Sequence, residues 1–362
     1  MSFLEGLLNK GKAKLKELSD SHPPSQSYPG NQSHQGYNQP PQGYNQQPQY
    51  YAPQSQYQNY PPQQQFSPPP PEYNNLPPPP IPSSTRPGST STPPIPSSTR
   101  PTPTPSQSAP YWQPTFNPSI PISQLFQQET GAHGWGNNEV QNYTADAHNC
   151  FFTPNNQLVL RGIVSSNKHT SARLVSHQKL GRQRGCLSAT LKAPCAAGIW
   201  PAFWLLPAAP FAWPNDGEID IFESWNGDCV NHSCLHWGHY NGEDWNKHRV
   251  WETPIFDMPH REVRVALAWA QDEDRDGAGG KLVWYLDGMA VMKAPISEGM
   301  RRLSDWKVII NVAMGGNVCG GRLPVDGTYD FVVRDLAFYD APVGGWDGFE
   351  RDFLNTREGK TM

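Results

Sequence analysis

The sequence predicts an all-β domain, built as an antiparallel two-sheet sandwich, that follows a long N-terminal arm. From residue 111 onward, many short segments with alternating apolar and polar residues follow one another, separated by turns, a pattern typical of sandwiches. Long amphipathic helical patterns are missing from the same region. All 13 Trp and all six Cys lie at or beyond Trp112 and Cys150, respectively. The globular part therefore has about 235 residues, enough for one large sheet-based core.

The chain divides into four parts by composition. Residues 1–20 are basic, with Leu and Phe near one helical stripe. This favours contact with a membrane surface or a partner, although a frayed terminus explains the pattern equally well. Residues 21–110 are rich in Pro, Gln, Tyr and Ser and predict a disordered linker, because they cannot bury enough apolar surface. We assign residues 111–345 to the globular domain and residues 346–362 to a polar tail.

Charge and patterning exclude several classes of protein. The formal net charge is −4, and no basic field of the kind that nucleic-acid binding needs is present. No apolar run approaches the roughly 20 residues of a membrane span. The start of the chain does not predict a secretory signal, since it has no uninterrupted apolar segment. The compartment stays open between the cytoplasm and unconventional export, the six Cys permit disulfides or free thiols, and we expect a monomer.

The chemistry of the chain is concentrated in the segment Gly217–Trp225. Side chains alternate along a strand, so Glu218 and Asp220 face the same way, whereas Glu223 faces away in a regular strand. One extra residue, a β-bulge, brings Glu223 to the same face. A retaining glycosidase needs two carboxyl groups roughly 5–5.5 Å apart on either side of a sugar bond. The alternative is a solvated polar edge strand, but the intervening Ile and Phe residues indicate burial.

This run resembles the active-site signature of glycoside hydrolase family 16, in the bulged E-x-D-x-x-E form of laminarinase-like endo-β-1,3-glucanases. On that resemblance Glu218 matches the nucleophile, Glu223 the general acid/base, and Asp220 the helper carboxylate between them. Further motifs of the family are similar to segments of this chain over about residues 111–340, at Gly134–Thr144, Ser171–Arg173, Gly198–Pro207 and Asn311–Gly316. The resemblance implies a concanavalin A-like jelly roll with the cleft on its concave face.

Candidate substrate-binding residues come from the same motifs. Trp200 and Trp204 lie four apart in a predicted strand and share a face, where flat rings can stack on pyranose rings; the alternative places one of them in the core. Arg173 is expected to hydrogen-bond sugar or carboxylate, with a surface Arg as the alternative. The remaining candidates flank the cleft by resemblance to the family: Asn137, Trp225, His236, Trp237 and Asn311.

The sequence predicts no required cofactor. Cys229, His232, Cys234 and His236 form a His/Cys cluster, but it lacks the second ligand pair of a structural zinc site, so we do not predict zinc. Asp335, in the last predicted strand, loosely matches the calcium ligand on the family's convex face. A structural calcium ion therefore stays open.

Three functions remain to be compared. The first is a retaining, endo-acting hydrolase of β-1,3-glucan or mixed-linkage β-1,3-1,4-glucan, with β-glucan polysaccharide as the partner. The second is a cell-wall glucan transglycosylase, whose relatives more often have an unbulged E-x-D-x-E. The third is a β-glucan-binding protein without catalysis, which would need neither Glu218 nor Glu223. The sequence favours the first.

Overall fold

The computed structural model describes residues 109–239, 243–244, 246–272 and 279–361. The predictions for residues 1–20 and for all but the end of the linker at 21–110 lie outside the described residues. Within the described ranges, no helix is long and apolar enough to span a membrane.

The first sheet carries the catalytic candidates. It has seven strands, and every neighbouring pair is antiparallel. In spatial order they are β1 (Phe126–Glu129), β6 (Arg173–Lys179), β15 (Trp306–Met314), β8 (Ile199–Pro207), β9 (Glu218–Glu223), β10 (Val230–His236) and β11 (His248–Pro254). The predicted catalytic strand β9 thus lies inside the sheet, between β8 and β10, rather than at a solvated edge.

The second sheet packs behind the first. In spatial order its strands are β14 (Met289–Pro295), β13 (Gly280–Leu286), β12 (Val263–Gln271), β7 (Arg184–Lys192), β16 (Gly327–Tyr339), β4 (Gln157–Ser165), β5 (Lys168–Ser171) and β2 (Asn142–Tyr143), while β3 (Cys150–Thr153) also pairs with β4. All of these pairs are antiparallel except β2 with β5. Short 3-10 helices span Ile122–Gln124 and Leu303–Asp305. The predicted two-sheet sandwich is confirmed.

The core lies between the two sheets and fixes the position of β9. Ile219, Ile221 and Phe222 of β9 are buried in it, and the Phe222 ring stacks on that of Phe331 with centroids 6.0 Å apart. Burying each such side chain stabilises the fold by about 1.5–3 kcal/mol. From the second sheet, Trp284 Nε1 donates a hydrogen bond to the Asp220 carbonyl at 2.9 Å. The catalytic strand is therefore held from behind by packing and by a buried hydrogen bond.

The C-terminal segment differs from the predicted polar tail. Residues Gly345–Asn355 form helix α1, and Phe349 is fully buried in a small cluster on the outer face of the second sheet. The chain then runs beside two edge strands, with a parallel bridge from Glu358 to Lys293 and an antiparallel one from Lys360 to Val250. Residues 346–361 thus pack on the domain, because α1 has an apolar face that the prediction overlooked.

Candidate active site

A β-bulge in β9 brings three carboxyl groups onto one face. Phe222 pairs with Phe203 of β8, yet the next pair joins Asp220 to Trp204, so Ile221 is the extra residue. The side chains of Ile221 and Phe222 both enter the core, and the alternation then resumes in phase for Glu223. The structure therefore has the bulge that the sequence predicts, with Glu218, Asp220 and Glu223 all directed away from the core.

Each of the two glutamates accepts a hydrogen bond from a tryptophan. Trp200 Nε1 donates to Glu223 Oε1 at 2.9 Å, and Trp213 Nε1 donates to Glu218 Oε2 at 3.0 Å. Asp220 lies between the glutamates along the strand and is 2% exposed. Its Oδ2 atom has no hydrogen-bond partner among the described residues. The two glutamates are thus fixed by neutral donors, whereas the aspartate is enclosed with one oxygen unpaired.

Burial and mutual repulsion raise the pKa values of all three carboxyl groups. Burial raises the pKa of Glu218 to about 7, against the opposing effects of the Trp213 hydrogen bond and the Arg173 guanidinium. Burial, together with the charge of Glu218, raises the pKa of Glu223 to about 8. Burial and both glutamate charges hold the pKa of Asp220 well above its ordinary value. At neutral pH the cluster therefore carries fewer charges than carboxyl groups, which provides one ionised group and one proton donor.

His236 lies beside this cluster as a neutral imidazole. It is paired with Glu218 across β10 and β9, and its Nε2 atom is 3.6 Å from Asp220 Oδ2 and 4.0 Å from Glu218 Oε1. Burial, with a contribution from nearby His248, lowers the pKa of His236 to about 4. His236 therefore brings no positive charge to the carboxylates at neutral pH.

The predicted pair of tryptophans shares the face of the carboxyl groups. In the register of β8 with β15, Trp200 lies opposite Ala313 and Trp204 opposite Ile309. Trp204 Nε1 donates to Asn311 Oδ1 at 2.7 Å. Both rings are partly exposed, so the face of β8 offers two indole surfaces beside Glu223 and Asp220.

A network of polar residues adjoins Trp204. The guanidinium of Arg173 lies 4.8 Å from the Trp204 ring centroid and donates through Nε to Glu129 Oε2 at 2.6 Å. Asn311 Nδ2 donates to the Tyr143 hydroxyl at 3.2 Å. Arg173 is thus held by the half-buried Glu129 and Asn311 by the buried Tyr143, as positioning of a ligand requires.

Glu139 is a fourth buried carboxyl group, and the sequence analysis did not select it. Gln141 Nε2 donates to its Oε2 at 2.6 Å, and the Tyr143 hydroxyl is 3.4 Å from the same atom. Burial raises the pKa of Glu139 to about 7, and its charge contributes to the raised pKa of Glu223. Its place in the motif two residues after Asn137 was the available signal. Asn137 Nδ2 donates to Glu139 Oε1 at 3.4 Å, so both residues join the network.

Two of the candidates beside the bulged strand lie in different surroundings. Trp225 stacks on His232, with ring centroids 3.6 Å apart. Trp237 instead packs against the core cluster, with the Arg249 guanidinium 5.1 Å from its ring centroid. The structure therefore brings together all of the candidates except two. Trp225 lies next to the site, and Trp237 packs against the core. Trp213 was missed because no motif marks the loop that carries it.

The two metal candidates from the sequence lie in different surroundings. Asp335 lies on an exposed irregularity of β16, where its carboxylate pairs with Arg334 and accepts a hydrogen bond from the Thr190 hydroxyl at 3.3 Å. Both contacts fall on Oδ2 of the carboxylate. A structural calcium ion at Asp335 stays a prediction, and we derive no step through it. The His/Cys cluster of the sequence analysis does not form one group in the structure. His232 is directed to Asp228, with its Nε2 atom 3.0 Å from Asp228 Oδ2.

All six cysteines are free thiols. Only one group of three His, Cys, Asp or Glu side chains within the described ranges has its ligand atoms close together. It comprises Asp220, Cys234 and His236, with ligand atoms within 4.8 Å of one another.

Comparisons with known proteins identify relatives of this chain. A protein-family model described as "XgeA-like, catalytic GH16 domain" matches residues 126–254. A beta-glucanase from Rhodothermus marinus is 27% identical over 249 residues, which are 61% of this chain and 82% of that protein. Glucan endo-1,3-beta-glucosidase A1 from Niallia circulans is 25% identical over 248 residues, 59% of this chain, and the match spans 35% of that longer protein.

A solved structure gives the same result. The X-ray structure of the laminarinase from Rhodothermus marinus matches with a TM-score of 0.54 at 25% identity, over 64% of this chain and 96% of that one. The likeness confirms the jelly-roll form of the sandwich that the sequence analysis expected.

Proposed function

The chain belongs to glycoside hydrolase family 16, in its laminarinase-like part, and is a glycosidase; we propose that it cleaves β-1,3-glucan or mixed-linkage β-1,3-1,4-glucan internally and with retention. One observation carries the proposal. The bulge at Ile221 sets Glu218 and Glu223 on either side of Asp220, on the same face as two tryptophans. Relatives named beta-glucanase and glucan endo-1,3-beta-glucosidase support the choice of substrate.

In the first step, the Glu218 carboxylate attacks the anomeric carbon while Glu223 gives its proton to the departing glycosidic oxygen. The carbon–oxygen bond to the leaving sugar breaks, and a glycosyl ester to Glu218 forms. The directions of the pKa shifts fit these roles. The negative charge of ionised Glu218, together with burial, raises the pKa of Glu223 and so keeps the proton on the donor, while the Trp213 hydrogen bond and the Arg173 guanidinium favour ionised Glu218.

In the second step, Glu223 acts as a base. It takes a proton from a water molecule, the oxygen of which attacks the anomeric carbon and releases Glu218 as a carboxylate. The product keeps the β configuration because two inversions occur in succession. Glu223 regains the proton that it gave in the first step, so the cycle closes without a cofactor.

The neighbouring groups support these charges. The hydrogen bond from Trp213 stabilises ionised Glu218, and that from Trp200 stabilises Glu223 once it has lost its proton. Asp220, kept protonated by burial and by the glutamate charges, can donate to the Glu218 carboxylate as its charge returns. Repulsion between the carboxylate charges therefore favours the state that the mechanism needs, in which Glu218 is ionised while Asp220 and Glu223 hold protons.

We assign the sugar contacts to the partly exposed face that continues along the sheet. The indole rings of Trp200 and Trp204 provide flat apolar surfaces for pyranose rings. Arg173, Asn311 and Asn137 provide hydrogen-bond donors at the neighbouring positions. A β-glucan strand lying along this face would pass over the carboxyl groups, so cleavage inside the polymer follows.

The test is the release of reducing ends from laminarin, from mixed-linkage β-glucan and from cellulose by the full chain. We expect cleavage of the first two, with loss of viscosity preceding most of the reducing-end release, and none in Glu218→Gln or Glu223→Gln. Transfer of most cleaved glycosyl units to an added oligosaccharide acceptor would instead identify a transglycosylase. Binding of the glucans without any cleavage by the unaltered chain would identify a glucan-binding protein.

A further inference from the structure

We propose that Asp220, Cys234 and His236 form a binding site for a thiophilic divalent cation, with Zn²⁺ as the model ion, and that its occupation stops hydrolysis. The binding site stands on the geometry of β9 and β10. The inhibition rests on the proposed function, since it takes Asp220 out of the catalytic cluster.

The pairing of the two strands assembles the three ligands. Cys234 lies directly opposite Asp220, and His236 directly opposite Glu218, in the antiparallel register of β10 with β9. Residues opposite one another project to the same face, with Cβ atoms about 4.5–5.5 Å apart. The sulfur, nitrogen and carboxylate oxygen atoms consequently lie within 4.8 Å of one another. Within this group, His236 Nε2 and Asp220 Oδ2 are 3.6 Å apart.

An unpaired buried atom points independently to a ligand. Asp220 is 2% exposed, and its Oδ2 has no hydrogen-bond partner among the described residues. Buried polar atoms almost always have a partner, and each exception calls for an explanation such as an ion. Because this atom is directed toward the imidazole nitrogen across the strand pair, a cation between them would satisfy both.

The donor set selects the class of cation. One thiol, one imidazole and one carboxylate suit zinc, which takes sulfur at about 2.3 Å and nitrogen or oxygen at about 2.0–2.2 Å. Calcium and magnesium prefer oxygen alone. Side-chain rotations that move the three ligand atoms by about 1 Å would bring them to these metal–ligand distances. Glu218 Oε1, 4.0 Å from His236 Nε2, or a water molecule would complete a tetrahedron.

The site differs from the zinc cluster that the sequence suggested. That cluster joined Cys234 and His236 to Cys229 and His232, but His232 faces Asp228 and is stacked under Trp225. Asp220, which is 14 positions before Cys234 in the chain, replaces them through strand pairing. The third ligand therefore could not be found from spacing in the sequence.

Occupation of the site would inhibit in two ways. A cation bound to Asp220 takes this carboxyl group out of the catalytic cluster, where it lies between Glu218 and Glu223 on the same strand. Its positive charge next to Glu218 also attracts the carboxylate and weakens its attack on the sugar. We expect inhibition that a chelator reverses and that bound oligosaccharide slows.

The experiment uses the full chain, stripped with a chelator, and Co²⁺ as a spectroscopic substitute for Zn²⁺. We expect one bound Co²⁺ with a thiolate-to-cobalt charge-transfer band, displaced by Zn²⁺. Cys234→Ser should abolish the band and weaken Zn²⁺ binding at least tenfold. His236→Gln, a second variant, should also weaken binding. Cys195→Ser is the matched control, because Cys195 and Cys229 form the rival thiol pair, and it should leave both signals unchanged.

Hydrolysis is then measured against Zn²⁺ concentration, with each variant referred to its own metal-free rate. The inhibitory concentration should rise at least tenfold in Cys234→Ser and stay constant in Cys195→Ser. Persistence of the thiolate band in folded Cys234→Ser, or the absence of any such band in the unaltered chain, would overturn the site. Metal binding at Cys234 in a chain without hydrolytic activity would uphold the site while refuting the proposed function.

Discussion

Replacing Trp200 by Phe removes one hydrogen bond from Glu223 while keeping an aromatic ring on the face of β8. The bond joins Trp200 Nε1 to Glu223 Oε1 at 2.9 Å and lowers the pKa of that carboxyl group. A hydrogen bond to a charged group contributes about 1.5–3 kcal/mol, and one pKa unit corresponds to about 1.4 kcal/mol. The loss should therefore raise the pKa of Glu223 by about 1–2 units above its present value of about 8.

The assay is the pH dependence of kcat/KM on laminarin, which reports the essential groups of the free enzyme. Under the proposed mechanism, activity requires ionised Glu218 and protonated Glu223, so the unaltered chain should have its optimum between pH values of about 7 and 8. In Trp200→Phe the alkaline limb should move up by about 1–2 units. The acidic limb should move much less, because it reports mainly Glu218.

Trp204→Phe is the control for this reasoning. Its Nε1 donates to Asn311 Oδ1 and to no catalytic carboxyl group, so its alkaline limb should stay where it is. An alkaline limb that is unmoved or lowered in Trp200→Phe would refute the electrostatic account. Equal shifts of the alkaline limb in the two variants would also refute it, since these would show a general effect of replacing indole by phenyl.

Three further predictions concern stability and the bulge. Because the pKa of Glu223 is raised to about 8 in the folded state, stability is lost as pH rises from the ordinary pKa of a glutamate to about 8, where the unfolded chain is ionised and the folded chain is not. Glu223→Gln should therefore gain at least about 1 kcal/mol at pH 9. Calorimetry should show no such gain at pH 4, and a pH-independent gain would contradict the shift. Deleting Ile221 should restore regular alternation and lower turnover at least about a thousandfold, with sheet content checked by circular dichroism; retained activity would exclude the bulge as the organising feature. Phe349→Ala should cost about 3–5 kcal/mol in denaturant unfolding and leave the rate per folded molecule unchanged. Exposed Leu354→Ala is its control, and equal effects would show that α1 packs differently.

Local alternation, with one β-bulge added, predicted the central part of the site. Glu218, Asp220 and Glu223 fall on one face only if one residue is added, and the apolar residues between them leave Ile221 free to take that place. Trp200 and Trp204 share a face for the same reason of period two. Such predictions succeed because they depend on neighbours within one strand.

The same rule would have corrected one candidate. His236 and Trp237 are adjacent in sequence at the end of β10, so their side chains point to opposite faces. With His236 beside Glu218, Trp237 had to turn toward the core, where it packs. We selected Trp237 because it matches a known motif, although the alternation of side chains alone predicts that it faces the core.

Contacts between distant segments could not be predicted. Glu139 and Arg173 come close only after two separate segments have been assembled. Trp213 is near Glu218 in the chain, but it reaches the carboxylate from a loop whose conformation no motif marks. Helix α1 was overlooked because its apolar face consists of a few aromatic residues among charged ones, and its partner surface belongs to the second sheet. Neither the alternation of side chains along a strand nor the spacing of residues in the sequence predicts these contacts.

The most direct test of the account is the configuration of the first sugar released, followed by proton NMR during hydrolysis of laminarin oligosaccharides. Two displacements at the anomeric carbon, by Glu218 and then by water, predict that the β anomer accumulates first and that the α anomer appears only through mutarotation. Glu218→Gln should release neither. If the α anomer forms first, a single displacement has occurred, Glu218 is not the nucleophile, and the central claim is wrong.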